Sequence, residues 1–106
     1  MPEKVISYLG FAMRARKLRL GVNAIAAEKK RIYLLILCAT ASENTKKDAL
    51  SMAAKLHAKL VVSNFYRVED VVNKENCKLI AVLDRELSKA ILTNLNEHFV
   101  IAEAEN

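Results

Sequence analysis

The stretch ATASENTKKDAL, beginning at Ala39, holds side chains well suited to gripping an anion. It leaves an apolar run through Thr40, Ser42, Glu43, Asn44 and Thr45, then sets Lys46 beside Lys47. Hydroxyls ahead of a helix accept from its first free amides. Thr40 with Glu43 three residues on fits a capping box, and Ser42 with Thr45 in the first turn fits a simple N-cap; either stabilises a helix by about 1 kcal/mol. Capping leaves Asn44, Lys46 and Lys47 unexplained, because cations near a helix start oppose its dipole by roughly a few tenths of a kcal/mol. A phosphate reverses that sign, since free amides and two ammonium groups then converge on one anion.

Two more groups in the same half of the chain extend this chemistry. Arg14, Arg16, Lys17 and Arg19 crowd into RARKLR, and Gly21-Val22-Asn23 follows. Asn23 either caps a helix or presents its amide to a ligand, and an amide offers the paired donor and acceptor that read purine edges. Residues 1–60 contain twelve Lys and Arg against four Asp and Glu, a sum of +8, while residues 61–106 contain five against eight, a sum of −3. Such segregation suits a polyphosphate partner, whose counterions are released by concentrated cations.

Catalytic patterns are missing. The sequence has no GxSxG elbow, HExxH pair or Gly-rich phosphate loop, and its 2 glycines exclude a dinucleotide fingerprint. His57 and His98 stand in separate segments, and His57 reads as a packed core or boundary residue of a helix. Glu69 and Asp70 diverge on a helix and make a poor acid–base pair. The expectation is a protein that is not an enzyme and needs no metal or organic cofactor.

The elements that must position these groups follow from hydrophobic periodicity. Pro2 suits a first helical position, and Val5, Ile6, Leu9, Ala12 and Met13 continue an amphipathic helix that fades near RARKLRLG. A second helix runs roughly from Val22 to Lys29, with Lys29, Lys30 and Arg31 at its negative end. Ile32 to Ala39 reads as a strand covered on both faces. The longest helix runs from Thr40 or Ser42 to about Ala58, its polar stripe Asn44, Asp48, Ser51, Lys55 and Lys59 opposite Leu50, Ala53, Ala54 and His57. Leu60–Val62 is a strand, Phe65–Asn73 contains a short helix carrying Val68, Val71 and Val72 inward, and NKENCK is a loop. Leu79–Leu83 is a buried strand, Asp84 caps a helix through about Leu95, and Phe99–Ala102 adds an edge strand or lies against the body. Strands alternating with helices predict a three-layer α-β-α sandwich around a small mixed sheet of about four strands.

At 106 residues, 53% hydrophobic and 27% charged, the chain fits one ordered domain spanning 1–106. Its longest apolar run is under half a membrane span, and Glu3 and Lys4 break any signal-peptide pattern, which predicts a cytoplasmic protein without membrane contact. Cys38 and Cys77 form no Cys-x-x-Cys pair and have no His at ligand spacing, so both read as reduced, unliganded thiols.

The series RARKLRLG, Asn23, IYLLILCATASENTKK, NKENCK and LIAVLD resembles the kink-turn RNA-binding ribosomal protein family, written in words L-seven-Ae and L-thirty-e, and ASENTKK resembles a small bacterial branch of it. The similarity spans about Lys4 to Leu95. It implies an α-β-α sandwich that binds RNA at kink-turns, where tandem sheared G·A pairs bend the duplex. It assigns guanine reading to Gly21 and Asn23, the same surface to Thr40, Ser42, Glu43 and Asn44, and a cover over extruded nucleotides to Asn76, Cys77 and Lys78. Three positions depart from the family: Arg16 replaces a common Gly, Ala24 an acid, and Ala27 a Lys. These changes predict weaker base specificity or a different RNA.

The expectation is therefore a monomeric protein that stabilises bent, structured RNA, ribosomal RNA or the ribosome itself, through one face. Arg14, Arg16, Lys17, Arg19, Lys46 and Lys47 are assigned to phosphates, and Asn23, Glu43 and Asn44 to bases or orientation. The alternatives are a protein-binding module using the acidic surface around Glu69, Asp70 and Glu86, and a small enzyme acting on a phosphorylated compound at the SENTKK cap.

Overall fold

The computed structural model describes residues 3–102. Ten elements alternate along it: α1 (Lys4–Arg14), β1 (Leu18–Leu20), α2 (Val22–Ala27), β2 (Leu34–Leu37), α3 (Glu43–Leu56), β3 (Lys59–Ser63), α4 (Val68–Val72), β4 (Leu79–Val82), α5 (Arg85–Thr93) and β5 (Phe99–Ala102). The strands form one sheet in the order β1-β4-β2-β3-β5. Among the described residues only β2 and β3 are parallel; the other pairings are antiparallel. The class is mixed α/β, with five strands rather than about four. Among the described residues no helix is long and apolar enough to cross a membrane.

Alternation of side chains across the pleat splits the core into two layers. Leu34 and Ile36 of β2 pack with Val5 and Leu9 of α1, Val68 of α4 and Ile91 of α5. Leu35 and Leu37 point the other way, onto Ile25 of α2 and Ala49 and Ala53 of α3. All four β2 residues are buried, which is why the run lacks polar alternation. Truncating Ile36 to Ala opens a void in a layer with no solvent access and is expected to cost about 2–5 kcal/mol.

Helix ends follow their capping residues. Glu3 accepts from the Val5 amide at 3.3 Å and starts α1; Pro2, expected at the first helical position, lies outside the described residues. Ser42 accepts from the Thr45 amide at 3.1 Å and starts α3, so the simple N-cap forms and Thr40 is used elsewhere. Asp84 accepts from the Leu87 amide at 2.8 Å and starts α5, as expected. At the end of α1 the Arg16 amide donates to the Met13 carbonyl and the Lys17 amide to that of Ala12, a Schellman closure with Arg16 at φ 59°.

Several expectations are corrected. RARKLRLG does not simply fade into a turn: Leu18–Leu20 pairs with β4, with Leu18 turned into the core and Arg19 away from it. Helix α2 stops at Ala27, so Lys29, Lys30 and Arg31 lie beyond its last turn. In α3 the buried side chains are Ala49 and Ala53, while Ala54 is exposed. His57 is exposed and left-handed at φ 55°, because the helix has closed one residue earlier and the chain turns toward β3.

Candidate nucleic-acid interface

Strand register divides the polar residues between two ends of the sheet. Leu20 pairs with Ile80 and Leu37 with Leu79, so β1 and β2 finish together, with the start of β4 between them. Their continuations, Gly21 into α2 and Cys38–Ser42 into α3, leave the sheet at this end and meet the loop that enters β4. The Gly21 amide donates to the Leu79 carbonyl at 2.8 Å, and the Cys38 amide to the Lys78 carbonyl at 2.8 Å.

A cleft of about 520 Å³ opens there, lined by Gly21, Asn23, Thr45, Lys74, Asn76 and Lys78 together with Leu20, Val22, Ala24, Cys77 and Leu79. Gly21 has φ 91°, a conformation L side chains rarely adopt, and a Cβ would meet nothing within 4 Å. Glycine is thus needed for the turn rather than for space. Asn23 does not cap α2, which starts at Gly21 without a side-chain cap; it is exposed at the cleft. Cys77 lies buried in the cleft lining, and burial raises its thiol pKa despite the nearby Lys74 cation, keeping it protonated.

Glu69 braces the cleft from beneath. Its carboxylate accepts from Lys78 Nζ at 2.6 Å, the Asn76 amide at 2.7 Å, Thr40 Oγ1 at 3.3 Å and Arg67 at 3.4 Å. Lys78 also donates to Thr40 Oγ1 at 2.8 Å. These bonds, led by those from Lys78 and the Asn76 amide, outweigh desolvation and hold the carboxyl at about 2, well below its ordinary 4.5. One anion therefore ties together three segments: the β2–α3 turn, α4 and the loop before β4. It also holds Asn76 at φ 61°. Glu69 is buried and engaged, so it is not part of an open acidic surface, although Asp70 and Glu86 are exposed. Linear spacing gave no signal for this role, since Thr40 and Lys78 lie 29 and 9 residues away.

The expected site residues do not share one face. Gly21, Asn23, Asn76, Cys77 and Lys78 line the cleft, and Thr40, exposed and outside the lining, bonds to Glu69 and Lys78. Ser42, Glu43 and Asn44 form the exposed start of α3 at the same end. Lys46 and Lys47 are exposed; Lys46 precedes by one turn Leu50, which lines a groove against β5 on the far side of α3 from α2. Arg14, Arg16 and Lys17 precede β1 and therefore lie at the opposite end. Arg14 stacks over Phe11 at 5.0 Å, and Arg19 forms an ion pair with Glu28 while donating to its neighbour's carbonyl, Leu18 O, at 2.9 Å. The Lys30 amide, with Arg19, lowers the Glu28 pKa against desolvation. Arg19 is thereby committed within the fold.

No family model matches the chain, and no curated protein matches it. Among solved structures, a protein with unknown function from Bacillus halodurans is similar, with a TM-score of 0.71 and 28% identity, covering 87% of this chain and 96% of that one.

Proposed function

We propose that the protein binds structured RNA at the cleft, with an internal loop or kink of a duplex as the preferred target. The carrying observation is the convergence of Gly21, Asn23, Thr45, Lys74, Asn76 and Lys78 from separate segments at one sheet end. That lining sets amide and hydroxyl hydrogen-bonding groups and two cations among the apolar Leu20, Val22, Ala24 and Leu79, suited to base edges, base faces and backbone together. Its thiol stays protonated and its Lys78 is held by Glu69, which favours binding over covalent chemistry. The likeness of ASENTKK and NKENCK to the kink-turn family supports the same reading, and the basic first half adds attraction. The chain would act as a monomer in the cytoplasm, on ribosomal RNA in the first instance.

The test is a gel-shift titration of an internal-loop RNA and its fully paired counterpart. Asn23→Ala is expected to weaken the loop RNA by about 10-fold and leave the paired RNA unchanged. Equal binding of the two RNAs by the parent protein, unaltered by the substitution, defeats the reading.

A further inference from the structure

The end of the sheet remote from the cleft carries a charge array of its own. Leu18 and Leu34 pair with Val82 from its two sides, and Lys59 pairs with Leu34, so β1, β2 and β3 all begin there. The segments entering them bring Arg16 and Lys17, then Lys29, Lys30 and Arg31, then Lys59. All six are exposed, and none forms an ion pair among the described residues. Two neighbouring acids among the described residues are occupied: Glu28 holds Arg19 and accepts from the Lys30 amide at 3.1 Å, and Asp84 caps α5. Glu86, exposed beside Arg85, and Asp48, exposed in the groove with Glu28 and Lys55, leave the sum of the described residues positive.

Helix dipoles explain part of this. Helices α1, α2 and α3 all end here, but the dipole acts within the last turn and accounts chiefly for Arg14 and Lys55. The six lie beyond the helix ends. Arg16 is the most telling, because it occupies at φ 59° a Schellman position where glycine carries no steric penalty. A long cation is retained where a smaller residue fits the backbone better.

From β1 across β4 and β2 to β3 the strand starts span roughly 14 Å, three spacings of about 4.8 Å. A strip of that length fits a run of phosphates better than one small anion. We infer that this end is a second, sequence-independent site that takes the phosphate backbone of an RNA helix. The strip stands on strand register and exposure alone; the choice of RNA over DNA rests on the cleft reading.

The experiment follows fluorescence anisotropy of a labelled, fully paired RNA duplex of about 24 base pairs with the whole chain, at ~50 and ~200 mM salt. Lys29→Gln with Lys30→Gln and Arg31→Gln is expected to lower affinity about 10-fold or more at low salt and flatten the log–log salt slope by about 2–3. Lys17→Gln with Lys59→Gln, on neighbouring segments, flattens it by about 2 and covers misfolding of the triple variant, monitored by circular dichroism. Parent-like affinity and slope in both lysine-region variants overturn the inference, as does displacement of the RNA by phosphatidylserine vesicles or tighter binding of a matched DNA duplex. Failure of the cleft reading shows instead as indifference to the internal loop with the duplex response intact.

Discussion

The two ends of the sheet use charge in opposite ways. At the cleft, Lys78 and Arg67 are answered by the buried Glu69, whose bonds tie the β2–α3 turn, α4 and the loop before β4 together. At the other end, the side chains of Arg16, Lys17, Lys29, Lys30, Arg31 and Lys59 form no ion pair among the described residues, although Arg31 lies over the Tyr33 ring at 5.4 Å. Satisfied charge in a low-dielectric setting rigidifies, whereas exposed charge acts at a distance and is screened by salt. The comparison assigns recognition to the first end and salt-sensitive attraction to the second.

Removing the brace tests this division most severely. Glu69→Ala leaves Lys78 half-buried without its anion and frees the Asn76 amide, and is expected to lower loop-RNA affinity about 10-fold or more, the scale of a lost charge-assisted hydrogen bond. Binding of the paired duplex should persist if the ends are independent; titrating both RNAs checks this. Acid should reproduce the loss gradually. Because the Glu69 pKa in the folded chain is depressed from 4.5 to about 2, its stabilisation is complete above the ordinary value and disappears as pH falls through that window. Denaturant midpoints of the parent and Glu69→Gln should therefore converge between pH 4.5 and 2. An undiminished gap at the acid end would contradict the brace.

Gly21→Ala comes next. Its φ of 91° with ψ 156° lies in a region essentially reserved for glycine and imposes about 1–3 kcal/mol of strain on a side chain, a fall in Tm of roughly 4–8 °C per kcal/mol, with loop-RNA binding reduced through displacement of the α2 start. The smallest effect, Arg16→Gly, is opposite in sign for the two properties. Relief of the left-handed Arg should stabilise the fold by about 0.5–1 kcal/mol while flattening the salt slope of duplex binding by about 1. A variant that gains stability without any change in salt slope would leave the Arg16 charge without a role.

Much of the fold was legible because burial writes itself into the sequence. The apolar run through β2, the Ser42 and Asp84 caps and the edge strand at Phe99–Ala102 all formed. Strand β1 was hidden because it has three residues with Arg19 in the middle, inside a basic run. That omission misplaced the cluster before it: Arg14, Arg16 and Lys17 stand a few positions from Gly21 in sequence, yet β1 carries the chain from one sheet end to the other between them. His57 was misassigned because helical phase was extended past the point where the backbone turns left-handed. Glu69 had no local signature, since its partners are brought to it only by the sheet.

The position of β4 also governs when this molecule can exist during synthesis. Its backbone separates β1 from β2, so the first 78 residues emerge without the strand that joins their two halves. The cationic portion cannot close its sheet until the later acidic portion follows, and a nascent chain arrested before Leu79 should be digested by protease more readily than the whole chain.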